Sequence, residues 1–388
     1  MGQPLKIFTL ILAAFLVFSG ILWFSSGRDF PIIDGGEAGG NSRVTPEGSD
    51  EEDIPEVTIM LTGNLLCNYS YQKKLYDEST EEFSFSDTFE YVAPIFDEAD
   101  LVVGNLDCCA AESLPVSLFN DVVDDKGYAN APVSYLDALK NAGVNALTMS
   151  DEHNCDTGRE GIIETLDAVD ERGFLHAGLY RNVTEPHYFM YEAAGMKIAF
   201  LSFSSEFRDD IAELNFAEKN AILSMLDTSR VIADISAARE NGADYVIVYF
   251  NRGDRYEESV SSDEKGIMQM LADAGADMMV DVGPYVLKST GEVIRNGVKI
   301  RCIYGLGTFT GKYQREETRE TAIYKIVLRR DENGQVKAAS RDFIPCFMAK
   351  NWRGRHYVLI PEGTECSSET EKILEGHYEN IRKTLGVS

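Results

Sequence analysis

Residues 145–158 read NALTMSDEHNCDTG, and this stretch joins a short apolar run to a dense group of polar and ionisable side chains. The apolar run at 146–149 predicts a buried strand, and the apolar spacing of 160–172 predicts an amphipathic helix after Gly158. In α/β proteins, ligands bind beyond the carboxyl ends of the strands. We therefore expect the functional site of this protein at the turn between this strand and this helix.

The same order of apolar run, polar turn and helical pattern recurs along the chain, with further polar turns after Thr62, Val103, Phe250 and Val280. This recurrence predicts an α/β domain whose helices pack outside a sheet core. The polar turns should then converge at one edge of the sheet. The side chains expected there are Asn64, Asn105, Asp107, Asp151, Glu152, His153, Asn154, Asp156, Asn251, Arg252 and Asp281.

Several local patterns predict individual elements. Apolar spacing favours one helix within 85–99, and turn residues at 194–195 and 333–334 predict two β-hairpins. Near the C-terminus, Ser368 begins a capping-box pattern and Gly386 follows the last apolar position, so these residues should bound a final helix. The domain organisation expected from these patterns is one α/β domain at 57–345 and a C-terminal extension at 346–388.

The first 56 residues differ from the rest in composition. Residues 7–24 contain no charge and are long enough to cross a bilayer, and no small-residue cleavage site follows them. We therefore predict a single-pass membrane anchor at 1–26, with a cleaved signal peptide, and hence secretion, as the alternative. Residues 27–56 are rich in Gly, Ser, Pro and acidic side chains and predict a disordered acidic linker. Lys6 on the short side of the anchor places the bulk of the chain outside the cytoplasm.

The net charge and the histidine content limit the partners and the metal ligands that this protein can have. A formal net charge of −28 argues against nucleic acid as a partner, because both carry the same sign. Oxygen ligands with one imidazole would suit a divalent cation such as Mn, Mg or Ca, and the weak candidates for its ligands are Asp107, Glu152 and His153. The alternative is that these acidic loops are solvated turns. No histidine occurs between 188 and 355, so too few ligands are present for a two-metal centre. We therefore expect no cofactor, or at most one divalent cation.

A series of motifs runs in order along the chain. The motifs are TGNLL at 62–66, LVVGNLD at 101–107, SDEHNCDTGREG at 150–161, YVIVYFNRGDRY at 245–256, AGADMMVDVGPYVL at 274–287 and IYGLGTF at 303–309. This series resembles the CapA-type capsule-synthesis proteins associated with poly-γ-glutamate, over about residues 57–310. The resemblance implies a calcineurin-like metallophosphatase sandwich, with central β-sheets flanked by helices. It also implies a role in capsule or poly-γ-glutamate synthesis.

The chain departs from the family pattern at positions where the resemblance implies metal ligands. Asn105, His153, Asp156 and Gly158 match the pattern, and Asp107 stands where the family has Glu. The resemblance thus implies a degenerate metal site. The departures are Asn64 for an Asp, Glu152 for an Asn, Asn251 for a His, and Gly283 and Tyr285 for two further His residues.

Two functions remain open from the sequence. The first is a pseudoenzyme that binds an envelope polymer or capsule-synthesis membrane proteins. The second is a metal- or histidine-dependent hydrolase of a phosphoester or envelope polymer, in which His153 is the general acid or base and Asp156 or Glu152 orients it. The residues expected to contact substrate are Asn64, Asn105, Asn251, Arg252 and Tyr285.

An acidic polymer would be repelled by the net negative charge of the chain unless basic side chains gather locally. Two groups of basic residues could form such a patch. They are Lys350, Arg353 and Arg355, and Lys312, Arg315 and Arg319.

Overall fold

The structure is a computed structural model that describes residues 55–120, 128–205, 207, 215, 219–220, 222–311 and 315–387. The predicted anchor or signal at 1–26 and nearly all of the predicted linker at 27–56 lie outside these ranges. Within them, no helix has the length and apolar character needed to span a bilayer. The anchor, the linker and the membrane localisation therefore stay predictions.

Two large sheets and one small one contain the strands of the described residues. The strands are β1 Glu56–Leu65, β2 Tyr76–Asp77, β3 Glu82–Phe83, β4 Leu101–Leu106, β5 Ala146–Thr148, β6 Leu175–Ala177, β7 Phe189–Ala193, β8 Met196–Ser204, β9 Tyr245–Asn251, β10 Met278–Asp281, β11 Thr290–Arg295, β12 Val298–Ile303, β13 Thr308–Thr310, β14 Glu320–Arg330, β15 Val336–Trp352 and β16 Arg355–Pro361.

Both large sheets mix parallel and antiparallel pairs. The first has the order β16-β15-β14-β1-β4-β5-β6, with β13 also paired to β1. The second has the order β11-β12-β10-β9-β8-β7. Strands β1, β4, β5 and β6 run parallel, as do β8, β9, β10 and β12. Their carboxyl ends carry the polar turns predicted from the sequence.

Helices cover the outer faces of the sheets. The helices are α1 Tyr69–Leu75, α2 Ser86–Phe89, α3 Ala93–Phe96, α4 Val133–Asn141, α5 Gly158–Glu171, α6 Thr228–Glu240, α7 Ser262–Ala274 and α8 Ser368–Leu385. Helices α1 to α5 lie in the part of the chain that contains β1 to β6 of the described strands. Val231 of α6 and Leu271 of α7 pack onto the second sheet.

The two large sheets pack face to face through one apolar core. Ile59 and Val103 from the first sheet share this core with Phe200, Ile247 and Val280 from the second. Alternating residues of each strand point into the shared core, as expected where one face of each sheet is buried against the other. The predicted α/β architecture, with central sheets and flanking helices, is therefore confirmed.

The structure corrects two local predictions. The segment 85–99 forms the short helices α2 and α3 rather than one helix, because Pro94 lies in the first turn of α3 and cannot sit inside a continuous helix. The cap of α8 is Ser367, one residue before the predicted one, and its side chain accepts from the Thr370 N–H. The predicted C-cap is confirmed, since Gly386 has a φ of 71°.

Both predicted hairpins are present, as the pairs β7–β8 and β14–β15. The expected boundary between 345 and 346 falls inside strand β15, so the C-terminal residues continue the first sheet before α8 packs on it.

Candidate functional site

A chain of side-chain hydrogen bonds joins the ends of three strands in the first sheet to the second sheet. The Nδ2 of Asn105 donates to Oδ1 of Asn64 at 2.9 Å and to Oδ2 of Asp151 at 2.9 Å. The Nδ2 of Asn64 donates to the carbonyl of Val282 at 2.9 Å. Thr148 Oγ1 donates to Asn105 Oδ1 at 3.0 Å. The predicted convergence of the polar turns is thus observed.

The DEHN sequence folds into a short 3-10 turn, Glu152–Cys155, through reciprocal capping. Asp151 Oδ1 accepts from the Glu152 N–H at 2.7 Å, and the Asp151 N–H donates to Asn154 Oδ1 at 2.7 Å. Asn154 Nδ2 also donates to the Leu106 carbonyl at 2.8 Å, which ties the turn to β4. These bonds fix the directions of the two ionisable side chains within the turn, Glu152 and His153.

His153 and Asp156 form a direct pair. The distance from His153 Nδ1 to Asp156 Oδ2 is 2.7 Å, and the same carboxylate oxygen accepts from the Ala129 N–H at 2.8 Å. His153 Nε2 lies 3.4 Å from Oε1 of Glu152. Asp156 is therefore placed to orient the imidazole, and a catalytic role for the pair stays a prediction.

Asp107 is fully buried beside this turn. Within the part of the chain that the structure describes, neither of its carboxylate oxygens has a hydrogen-bond partner of good geometry. Burial, followed by the nearby charge of Asp151, raises the pKa of Asp107 well above its ordinary value, although the Tyr285 hydroxyl opposes this shift. Burial also raises the pKa of Asp151. A carboxylate in such surroundings needs either a proton or a compensating cation.

Two side chains from the loops after β9 and β10 close over Glu152. The Tyr285 hydroxyl donates to Oε1 of Glu152 at 3.0 Å, and Nη2 of Arg255 forms an ion pair with the same oxygen. The guanidinium carbon of Arg255 lies 5.5 Å from the centre of the Tyr285 ring. Tyr285 was expected in the site from the sequence. Arg255 was not, because the resemblance singled out the position of Tyr285 and did not single out that of Arg255.

Asp281 joins the loops that follow β9 and β10. Its Oδ1 accepts from the N–H groups of Arg252 and Gly253 at 3.3 Å each, and from that of Gly283 at 2.9 Å. A Cβ atom on Gly283 would lie 2.6 Å from the nitrogen of Gly253, so this close approach requires glycine. Burial raises the pKa of Asp281 to about 7.

The remaining predicted contact residues have different surroundings. Asn64 and Asn105 are fully buried, and Asn251 is nearly so, which suits the positioning of loops. The side chain of Arg252 pairs with Asp263, Nη2 to Oδ2, at 2.7 Å. Direct substrate contact by these four residues and by Tyr285 stays a prediction.

A buried ion pair that the sequence did not indicate joins α7 to the loop after β10. Nζ of Lys288 lies 2.6 Å from Oε1 of Glu264, and both side chains are almost inaccessible. Glu264 also caps α7 by accepting from the Ser261 N–H at 2.7 Å. Its charge contributes to the raised pKa of Asp281.

The donor atoms do not fit a two-metal centre. Across the described ranges, no group of three or more His, Cys, Asp or Glu side chains is arranged to hold a metal ion. Glu152 already pairs with Arg255 and accepts from Tyr285. On the side of the second sheet, the neutral side chains of Asn251 and Tyr285 stand at positions where the family pattern has histidine ligands. A single cation on Asp107, Glu152 and His153 stays a prediction.

Fold and site together define an α/β protein with two facing sheets and a buried acidic site at their strand ends. The sequence model of the family described as Bacterial capsule synthesis protein PGA_cap matches residues 58–313. The chain belongs to this family.

Two curated relatives are similar over most of the chain. The capsule biosynthesis protein CapA of Bacillus anthracis is 26% identical over 298 residues, covering 75% of this chain and 67% of that protein. The PGA biosynthesis protein CapA of Bacillus subtilis (strain 168) is 26% identical over 314 residues, covering 77% of each. Both names agree with the family assignment.

Solved structures show a more distant likeness. The NAD nucleotidase NadN of Haemophilus influenzae has a TM-score of 0.48 at 11% identity, covering 86% of this chain and 57% of that one. The calcineurin-like phosphoesterase YfkN of Bacillus subtilis has a TM-score of 0.44 at 11% identity, covering 85% of this chain and 98% of that one. These scores are too low to carry an argument about fold details or activity.

Proposed function

We propose that this protein acts in capsule, poly-γ-glutamate or other cell-envelope polymer synthesis, outside the membrane to which its N-terminus anchors it. In this proposal it is non-hydrolytic and acts by binding the polymer or a membrane protein of the synthesis machinery. Membership of the capsule synthesis family supports the process, as do the names of the two relatives.

The observation that carries the non-hydrolytic part is the closure of Arg255 and Tyr285 onto Glu152. Hydrolysis of the metallophosphatase type needs ligands that hold cations against the substrate. Here one of the candidate ligands accepts instead from a guanidinium and a phenol. A site closed in this way suits recognition better than metal-dependent chemistry.

Arginine and tyrosine side chains form a rim around the site, which supports an acidic ligand. The guanidinium carbon of Arg315 lies 4.3 Å from the centre of the Tyr256 ring, and the Tyr256 and Tyr285 rings are 6.4 Å apart. The side chains of Arg255 and Arg315 are 51% and 54% exposed. Guanidinium groups pair well with carboxylates, so the exposed Arg315 offers a contact to an acidic ligand.

Most other basic residues considered for a patch form closer ion pairs than Arg315, whose Nη1 lies 3.8 Å from Glu317 Oε1. Arg319 and Lys350 both pair with Glu316, and Arg355 pairs with Glu90. Lys312 lies outside the described residues. The rim named above is therefore the better place to test.

The test measures binding of fluorescently labelled poly-γ-glutamate to the full-length chain in mild detergent by anisotropy. We expect Arg315→Gln to weaken binding about three- to tenfold, because a partly exposed charge contact contributes on the order of 1 kcal/mol. The matched control is Arg329→Gln. Arg329 lies on β14, away from the site, and its exposed side chain pairs with Glu56. Equal affinities for both variants, or no binding by the unmodified protein at low salt, would contradict the proposal.

A hydrolase is the second candidate, and the His153–Asp156 bond of 2.7 Å favours it. A histidine oriented by a carboxylate can transfer protons in phosphoester hydrolysis. If this candidate is right, the unmodified chain turns over a chromogenic phosphodiester and His153→Ala loses at least a hundredfold of that rate, whereas the exposed His356→Ala does not. Absence of turnover by the unmodified chain, with and without Mn²⁺, would rule it out.

A further inference from the structure

We propose that Arg255 is a built-in counter-cation, whose guanidinium balances the buried carboxylates at the strand ends and keeps divalent cations out of the site. This inference concerns the surroundings of Glu152 and does not depend on which polymer or partner the protein binds.

Carboxyl groups are concentrated in this region. Asp107, Asp151, Glu152, Asp156 and Asp281 are all buried, and the ends of both sheets bring them into one region. Buried carboxylates are unstable unless a cation or a proton compensates them. The buried lysine next to this region, Lys288, already pairs with Glu264.

Arg255 supplies a compensating positive charge in direct contact with one of these carboxyl groups. Its Nη2 pairs with Oε1 of Glu152. The same Glu152 oxygen accepts from the Tyr285 hydroxyl at 3.0 Å and lies 3.4 Å from His153 Nε2. This oxygen therefore already accepts from two donors, the guanidinium of Arg255 and the hydroxyl of Tyr285. A divalent cation approaching it would have to displace these donors and would be repelled by the guanidinium.

The backbone around these contacts is held in a costly conformation. Tyr285 has a φ of 62°, and Tyr256, next to Arg255, also has a φ of 62°. Non-glycine residues in this left-handed region cost on the order of 1 kcal/mol each and persist only where the surroundings hold them. Thr308 Oγ1 holds one of them by donating to the Tyr285 carbonyl at 2.9 Å. The position of the Tyr285 ring, over which the guanidinium lies, is thus fixed.

The test is a titration of the full-length chain in mild detergent with Mn²⁺ alone at neutral pH, followed by calorimetry and by the electron paramagnetic resonance of free Mn²⁺. We expect no saturable binding by the unmodified protein. Arg255→Gln keeps much of the side-chain length but removes the charge, so it should bind one Mn²⁺ at least about tenfold more tightly than the unmodified protein. The double variant Arg255→Gln with Glu152→Gln should lose that gain, because it removes the freed ligand.

The control is Arg329→Gln, which frees the carboxylate of an exposed Arg–Glu pair, Arg329 with Glu56, without touching the site. Saturable Mn²⁺ binding by the unmodified protein would overturn the inference. So would equal Mn²⁺ affinities in Arg255→Gln and Arg329→Gln. If circular dichroism shows that Arg255→Gln does not fold, saturable Mn²⁺ binding by the unmodified protein would still overturn the inference. Arg255→Lys, which keeps the positive charge, must then also fail to bind Mn²⁺. Failure to bind poly-γ-glutamate would leave this result unaffected.

Discussion

Asp281 illustrates how one buried carboxyl group links stability to pH in this protein. It holds the loops after β9 and β10 through three backbone N–H groups, yet burial raises its pKa from 3.8 to about 7. The folded state thus keeps a proton on Asp281 over a pH range in which the unfolded state has lost it. Because the folded state binds more protons between these two values, the free energy of unfolding falls as pH rises through this range.

We expect Asp281→Asn to flatten this dependence, since an amide keeps the oxygen acceptor and cannot ionise. In urea denaturation at pH 5, 6, 7 and 8, the free energy of unfolding of the unmodified protein should fall by about 2 to 4 kcal/mol more than that of the variant. Asp342→Asn, a change at an exposed position of β15, serves as the control and should keep the unmodified slope. An unchanged slope in Asp281→Asn would refute the role of this group.

At the scale of secondary structure, α8 shows how one helix face completes the first sheet. Ile381 and Leu385 of α8 pack with Phe347 of β15 and Ile360 of β16 in one apolar cluster. Outside this buried stripe of the same helix, Ile373 is 62% exposed. The helix is thus held by packing of one stripe, as amphipathic helices in globular proteins usually are.

This arrangement predicts different costs for the same substitution on one helix. Ile381→Ala should lower the free energy of unfolding by about 2 to 4 kcal/mol, because it leaves a cavity under β16. Ile373→Ala should change it by less than about 0.5 kcal/mol, because alanine also favours the helix. Urea denaturation of both variants compares them directly. Similar losses in the two would mean that α8 does not pack as described.

At the scale of the whole molecule, the net charge of −28 works against compactness. Like charges on a folded chain repel each other. At 0.1 M ionic strength, salt largely screens the repulsion between exposed charges that are more than about 10 Å apart. The molecule should therefore be more stable in moderate salt than in low salt.

Thermal unfolding in rising NaCl tests this expectation. Between low and physiological ionic strength we expect the midpoint temperature to rise by about 2 to 4 °C, because screening relieves repulsion in the folded state. Sucrose at matched osmolality separates screening from solute exclusion. A midpoint that stays constant or falls with NaCl would show that stabilising ion pairs outweigh the net repulsion.

Much of the fold was predictable because its determinants are local. Apolar runs ending in polar turns indicated strands β1, β4, β5, β9 and β10, and turn residues indicated both hairpins. Strand ends also indicated which polar groups meet, since parallel strands place their carboxyl ends on one edge. Pro94 and Ser367 show the limit of such patterns, because helix ends depend on which of several adjacent residues makes the cap or the break.

The sequence by itself determined the α/β class, the family and the group of polar turns that meet, because periodicity, turn chemistry and motif order are written in neighbouring residues. Only the tertiary structure decided how the site is closed. The pairing of Arg255 with Glu152 joins residues far apart in the chain, as does that of Tyr285 with Glu152, and both require the two sheets to face each other. No local pattern encodes such contacts, because side-chain direction after a strand end depends on what packs against it.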